Sequence, residues 1–181
     1  GLWTINEATT VEQFRGLRKD IERLALGSYI AELLEAVSDE DCPEPEILQL
    51  GLNSLYALAS GTYPQELVKA AFELRLMCLS GYRPELEGCA NCGKVEMESG
   101  YIVPAHGELY CEDCPRPDGL PLDGAVIKAM RYIVDAEPKR IFSFRLDAEA
   151  LKRLGQVCEA YLLYELDRGF ASLDYYKKVR K

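Results

Sequence analysis

The sequence predicts a mainly α-helical domain, a helical bundle that carries one small inserted four-cysteine zinc finger. Three observations support this class. Apolar residues recur every three or four positions along most of the chain, a stretch rich in Gly, Cys and Pro interrupts that period, and the interruption holds two Cys-x-x-Cys pairs. With 181 residues, of which 48% are apolar, the chain can bury a core without disulfides.

Residues 1–8 include a strand-like segment that has no neighbouring strand. The chain opens at Gly1 and runs directly into an apolar stretch at residues 2–5. Because an isolated strand is not stable in water, we expect the chain to be a fragment of a longer protein, with a further segment before Gly1. The helical domain is then expected at residues 9–181.

The first predicted helical run extends from Thr10 to Val37. Thr10 and Gln13 have the spacing of a capping box. Apolar residues follow at helical intervals, at Val11, Phe14, Leu17, Ile21, Leu24, Tyr29, Ile30, Leu33, Leu34 and Val37. The acidic run at residues 38–41 is expected to end this segment in an exposed loop.

Two further helices are predicted between residues 43 and 81. Pro43 and Pro45 favour a helix start, and Gly61 favours its end. The apolar positions of this helix are Ile47, Leu48, Leu52, Leu55 and Leu58. Pro64 begins the next helix, which continues to Gly81. Residues 47–65 carry no charge but hold several polar residues, so they predict a buried helix pair and no membrane span.

The rest of the chain contains the insert and two more predicted helices. The zinc-finger insert is placed at residues 86–118, where the helical period disappears. A helix is expected from Leu122 to Val134, an extended segment at residues 140–145, and a long helix that Asp147 caps. The basic tail at residues 177–181 is interpreted as a frayed, solubilising end.

Four cysteines between residues 89 and 114 form the pattern Cys-x2-Cys-x18-Cys-x2-Cys, which is typical of a zinc site. Two thiolates on one tight turn can reach the same ion at about 2.3 Å, and two such turns complete a tetrahedron. A segment with few apolar residues also needs the binding energy of the metal in order to fold. We therefore predict one structural Zn²⁺ held by Cys89, Cys92, Cys111 and Cys114.

Other interpretations of the cysteines stay open at this point. Cys-x-x-Cys pairs also occur in thiol exchange, although neither pair has the strand-to-helix context of a redox motif. His106, the one histidine, lies between the pairs and could replace a thiolate. Cys78 and Cys158 lie in apolar helical stripes, where buried, unreactive thiols are expected. Cys42 lies in the acidic loop.

Catalysis is not expected. The chain has one histidine, and histidine is the side chain that most often serves in acid–base catalysis. A closed four-thiolate site leaves no position for a catalytic water, and the chain has no phosphate-binding glycine loop. Seven cysteines without a secretion signal indicate the reducing cytoplasm.

The net charge of −9 disfavours a general nucleic-acid binder, but the charge is unevenly distributed. Residues 1–120 are strongly acidic, whereas residues 121–181 carry a net charge of +3. Six cations in that last third are candidates for contact with DNA or with an acidic partner tail: Lys128, Arg131, Lys139, Arg140, Lys152 and Arg153. The alternative is a solvated face, since acidic residues alternate with them.

An ordered set of segments resembles the bacterial RecO recombination mediators. The most specific is Gly81-Tyr82-Arg83-Pro84-Glu85-Leu86, which leads into Cys89-x-x-Cys92. The others are Gly1-Leu2-Trp3-Thr4-Ile5, Phe14-Arg15-Gly16-Leu17-Arg18, Phe72-Glu73-Leu74-Arg75-Leu76, Tyr161-Leu162 and Ser172-Leu173-Asp174-Tyr175-Tyr176. Together they cover the whole chain in order.

The resemblance implies an N-terminal OB domain before Gly1, of which residues 1–8 are the last strand, followed by a helical domain with a zinc finger inserted between its helices. It also implies a cytoplasmic, non-catalytic protein that assists RecA-dependent repair and strand annealing. The implied partners are RecR, the acidic C-terminal tail of single-stranded DNA-binding protein, and DNA, bound weakly by this portion without the OB domain. The alternatives are a zinc-stabilised interaction module of a transcription or replication adaptor, and a zinc enzyme.

Overall fold

The computed structural model describes residue 4, residues 6–38 and residues 42–180. Within these residues a short 3-10 helix precedes six α-helices and three strands. In chain order they are the 3-10 helix Arg15–Lys19, α1 Ile21–Val37, α2 Pro45–Ser60, α3 Gln65–Leu79, β1 Ser99–Val103, β2 Glu108–Cys111, β3 Leu120–Asp123, α4 Gly124–Asp135, α5 Ala148–Glu165 and α6 Ala171–Val179. The mainly helical class with a small cysteine-bearing insert is confirmed.

Helix α3 lies at the centre of the bundle. Its residues from Leu67 to Leu74 are all buried, as are Leu76 and Met77. A helix that is buried on every side needs neighbours on every side, and α3 packs against α2, α4 and α5. Helices α1 and α6 pack together beside this layer. One continuous apolar core joins the helices to the sheet.

The predicted helix start at Thr10 is wrong. Residues 6–14 have no helical structure, and Val11 is 98% exposed. The Glu12 carboxylate accepts hydrogen bonds from the backbone N–H groups of Gln13 and Phe14, which holds a non-helical loop. Asp20 is the actual cap of α1, because its side chain accepts from the N–H of Glu22 at 2.9 Å.

Two N-terminal predictions fall mainly on residues that the structure does not describe. For the predicted strand at residues 1–8, residues 1–3 and 5 lie outside the described part, and residues 4 and 6–8 are exposed and not in a strand. For the acidic loop, residues 39–41 lie outside it as well.

Helix α2 starts and ends where the sequence predicts. Pro45 occupies its first turn, and Gly61 ends it in the left-handed conformation with φ 69°. The predicted apolar stripe is only half correct, since Leu48 and Leu52 are exposed. The buried face instead follows Ile47, Leu50, Gly51, Ser54, Ala57 and Leu58. Small residues on this face let α1 and α3 approach closely.

A three-stranded antiparallel sheet has the order β2-β1-β3, with β1 and β2 inside the predicted insert at residues 86–118 and β3 just after it. Tyr101 pairs with Tyr110, and Gly100 pairs with Leu122. The predicted helix start at Leu122 is therefore wrong, because this residue belongs to β3. Helix α4 begins two residues later, at Gly124, where the Asp123 side chain accepts from the N–H of Val126 at 2.9 Å.

Two C-terminal predictions also need correction. Residues 140–145 do not form a strand, because turns closed by Arg140 N–H to Glu137 and Ser143 N–H to Arg140 break up the segment. The predicted frayed tail, residues 177–181, is helical as far as Val179. Residues 171–179 form α6, which buries Leu173 and Tyr176 against the bundle. The predicted cap Asp147 is confirmed by its 2.9 Å bond from the Ala150 N–H. A search of the described helices for one long and apolar enough to cross a membrane finds none.

Candidate metal centre and its surroundings

The two cysteine pairs occupy two turns that the sheet brings face to face. Cys89 and Cys92 lie on a turn before β1, closed by a hydrogen bond from the Gly93 N–H to the Cys89 carbonyl at 2.8 Å. Cys111 ends β2, and Cys114 lies on the turn that follows it. The Ala90 N–H donates to the Leu109 carbonyl at 2.7 Å, so the first turn is fastened to β2.

The four sulfur atoms form one cluster that fits a tetrahedral metal ion. All four Sγ atoms lie within 4.8 Å of one another, and those of Cys92 and Cys111 are 3.8 Å apart. A tetrahedron with metal–sulfur bonds of about 2.3 Å has edges of about 3.8 Å. A disulfide would need about 2.05 Å. The predicted ligand set is therefore brought together in a geometry that could bind one metal ion.

The surroundings of the cluster favour a thiolate at Cys89. Burial opposes ionisation there, but backbone N–H groups of Cys111, Cys92 and Asn91 donate to the sulfur and lower the pKa of Cys89 to about 6. Asn91 also lowers the pKa of Cys114, yet the neighbouring thiols outweigh it and raise that pKa to about 12. Four thiols this close cannot all ionise without a cation to hold them.

The other thiols and the histidine lie apart from this cluster. His106 is exposed on the turn between β1 and β2 and is not part of the group of four. Cys158 is fully buried, which raises its pKa well above the ordinary value, and burial raises the pKa of Cys78 to about 11. Both thiols are therefore unreactive at neutral pH. Cys42 is exposed.

Arg131 fastens the insert to α4, a role that nothing in the sequence spacing indicates. Its guanidinium donates to the carbonyls of Leu86 at 2.7 Å, Glu87 at 2.9 Å and Val95 at 3.0 Å. These carbonyls lie on both sides of the first cysteine turn. Arg131 was also predicted as a DNA or partner contact, and three of its five N–H donors are used within the chain.

Two more arginines bind the C-terminal end of α4. Arg75 donates to the carbonyls of Ile133 and Val134. Arg83 donates to the Val134 carbonyl at 3.2 Å and pairs with Asp135 at 2.7 Å. Cations at the last carbonyls of a helix are favourable because those groups lack intrahelical partners. The C-terminal half of α4 is therefore held by both of these arginines, in addition to the contacts that Arg131 makes with the insert.

The remaining cations predicted as contacts do not share one cleft. Lys128 projects from α4 into a cleft of about 1100 Å³ between the insert and the starts of α4 and α5, whose lining includes seven carboxylates. Lys152 lines a different cleft, beside α3 and α6. Lys139 and Arg140 are exposed on the turn after α4, and Arg153 is half-buried on α5.

Comparison with known proteins gives one consistent result. A family model described as "Recombination protein O C terminal" matches residues 18–174. A protein of Acetivibrio thermocellus named "DNA repair protein RecO" is 31% identical over 181 residues, which cover 98% of this chain and 72% of the relative. Proteins with the same name from Alkaliphilus metalliredigens and Roseiflexus sp. are 29% and 31% identical, covering 98% and 99% of this chain and 74% and 64% of the relatives.

Proposed function

This chain belongs to the RecO family of DNA repair proteins, and we propose that it is the non-catalytic C-terminal part of a recombination mediator. The observation that carries the proposal is the match to the RecO C-terminal domain over residues 18–174, which spans the helical bundle and the insert together. The relatives are longer than this chain, which leaves room for a further domain in the whole protein.

In this role the insert is stabilised by one structural zinc ion. Cys89, Cys92, Cys111 and Cys114 would hold the ion, and their 3.8 Å sulfur separation supports a closed tetrahedral site. A closed site supplies folding energy and leaves no position for a reacting water. The zinc therefore supports the shape of the insert and takes no part in a reaction.

The mediator acts in the cytoplasm by binding partners and DNA. It assists RecA loading and strand annealing together with RecR, and it contacts the acidic tail of single-stranded DNA-binding protein. Lys128, Lys139, Arg140, Lys152 and Arg153 are suited to such contacts, because none of them forms an ion pair among the described residues. DNA binding by this portion is weak, since the net charge is −9.

Binding to two purified partners tests this function. We expect the 181-residue chain to bind RecR, or the C-terminal peptide of single-stranded DNA-binding protein, in biolayer interferometry. No affinity for either partner would overturn the proposed role of this portion and favour an adaptor of another pathway.

Metal analysis tests the zinc separately. One zinc per chain, released only when the protein is denatured, is the expected result. A metal-free protein whose four thiols react rapidly in the folded state would overturn the structural site.

A further inference from the structure

A small cleft between α3, α5 and α6 gathers positive charge in an otherwise acidic protein. Its volume is about 190 Å³. Four cations line it, one from α3, one from α5 and two from the C-terminal segment: Lys69, Lys152, Lys177 and Arg180. Two carboxylates, Glu66 and Glu159, also line it. We call this feature the α5–α6 cleft.

Both carboxylates of the cleft form ion pairs, while three of its cations keep N–H donors for a further ligand. Glu159 contacts Lys69 at 2.8 Å and Lys177 at 2.5 Å, while Glu66 contacts Arg180 at 3.4 Å. Lys177 and Arg180 each pair with one carboxylate and remain partly exposed, so they keep donors for a further acceptor. Lys152 has no ion-pair partner among the described residues.

A glycine in the middle of α5 opens the floor of this cleft. Gly155 lies eight residues inside an 18-residue helix, where glycine lowers helix stability relative to alanine. A Cβ atom added there would meet nothing within 4 Å. By contrast, a Cβ at Gly27 or Gly51, the interior glycines of α1 and α2, would meet leucine side chains. Close packing therefore accounts for glycine at positions 27 and 51, but it does not account for glycine at position 155. Without a side chain at Gly155, a ligand can approach the backbone of α5 closely.

We propose that the α5–α6 cleft binds a phosphate group. Three of its four cations are lysines, which bind phosphate as point charges, and the guanidinium of Arg180 also matches the geometry of a phosphate. Leu151 is its one large apolar lining residue, so the cleft offers little to the apolar side chains of an acidic peptide. The group belongs either to a nucleic-acid backbone or to a free phosphate compound. That the cleft binds a phosphate group is independent of the proposed function. That this phosphate belongs to a nucleic-acid backbone rests on it.

The first experiment tests the cleft alone. Titration of the ¹⁵N-labelled chain with inorganic phosphate, at constant ionic strength kept with sodium chloride, should shift the amide signals of Lys152, Gly155 and Gln156. The variant Gly155→Glu should lose these shifts, because it places a carboxylate in open space and remains compatible with a helix. Shifts that are absent, or that occur elsewhere on the chain, would overturn the proposal.

The second experiment identifies the source of the phosphate. Anisotropy of a labelled 20-nucleotide oligothymidylate at low salt should show binding about three- to tenfold weaker for Lys152→Gln, with a salt slope lower by about 0.7. The matched control Lys19→Gln removes the same charge from an exposed position on the 3-10 helix and should stay within about twofold of the parent. Gly155→Glu should weaken binding more than the neutral Gly155→Gln.

The outcomes separate this inference from the proposed function. If phosphate shifts the cleft signals but the parent chain does not bind the oligonucleotide, the cleft stands as a site for free phosphate compounds and the DNA-binding part of the function fails. If Lys19→Gln and Lys152→Gln weaken DNA binding equally, the attraction is diffuse and the cleft is not the contact site. If an acidic peptide shifts these signals and phosphate does not, the ligand assignment is overturned.

Discussion

Lys69 and Glu73 form an ion pair inside the bundle, where charged residues are rarely buried. Lys69 is 5% exposed and Glu73 is 0% exposed, and their charged atoms are 2.7 Å apart. The Tyr29 hydroxyl donates to the same Glu73 oxygen at 2.8 Å. Burial raises the pKa of Glu73. Burial alone would lower the pKa of Lys69, but the nearby carboxylates of Glu73 and Glu159 hold that pKa above its ordinary value. Each charge is therefore tolerable only because the other is present.

Replacing Lys69 by methionine should destabilise the protein by about 3–5 kcal/mol at neutral pH, because it leaves Glu73 buried and unpaired. A carboxyl with a raised pKa is destabilising where it must ionise, so the loss should shrink as the pH falls from neutral towards 4.5 and Glu73 takes up a proton. Urea unfolding of parent and variant at pH 7.5 and pH 5 measures both effects. The surface variant Lys152→Met should change stability by less than about 0.5 kcal/mol. If Lys69→Met lost the same amount of folding stability at both pH values, the loss would not come from the buried, ionised Glu73 carboxylate.

Arg131 offers a second test at the residue scale. Arg131→Lys keeps the charge but cannot donate in a fork to three carbonyls at once. We expect faster amide exchange in residues 86–95, while α3 and α5 keep their protection. Exchange measured by mass spectrometry checks this, with Arg145→Lys, an exposed arginine, as the control. Unchanged exchange in residues 86–95 would show that the three hydrogen bonds contribute little.

At the scale of elements, the insert is small but shares its core with the helices. Ile102 and Leu109 on the buried face of the sheet belong to the same cluster as Val126 and Met130 of α4. The sheet therefore packs on α4, and the bundle beyond it depends on contacts between α3 and its helical neighbours. This arrangement predicts that the insert can be lost while most of the bundle remains.

Cys92→Ser should unfold the insert and leave most of the helical circular dichroism intact. Losing one thiolate weakens the predicted zinc site, whose binding energy is worth roughly 10–16 kcal/mol in small fingers. The control Cys42→Ser alters an exposed thiol outside the cluster and should have little effect. A global loss of helix in Cys92→Ser would show that the finger is integral to the whole core.

The elements show which features a sequence can predict. Local signals were sufficient for the Asp147 cap, for the Gly61 helix end and for the four-cysteine cluster, because each depends on residues that are close in the chain or on a known ligand spacing. Thr10 has a capping pattern too, but the Glu12 carboxylate holds the neighbouring backbone in a loop and Asp20 caps the helix instead. Arg131 could not be found in this way, since its three acceptors lie 36 to 45 residues earlier in the chain.

At the scale of the whole molecule, C-terminal residues close the bundle by contacts with its beginning. The Glu32 carboxylate of α1 accepts from both the backbone N–H and the hydroxyl of Ser172 at the start of α6. The ring of Phe170 lies edge-on to Tyr29, with centroids 6.0 Å apart. Contacts between residues about 140 positions apart cannot be inferred from local periodicity, which is why the sequence does not predict α6 and its basic end at residues 177–181 is interpreted as a frayed tail.

This closure predicts a specific dependence on acidity. The Ser172 hydroxyl is the largest cause that lowers the pKa of Glu32 below its ordinary value of 4.5. A carboxyl with a lowered pKa contributes stability above pH 4.5 and loses it as the pH falls through the lowered value. Glu32→Gln should therefore be less stable than the parent at pH 7, and the difference should vanish in acid below pH 4.5. Thermal unfolding across this range measures it, with Glu35→Gln, an exposed carboxylate on the same helix, as the control. A difference that stays constant with pH would mean that ionisation of the Glu32 carboxylate does not help to hold α6.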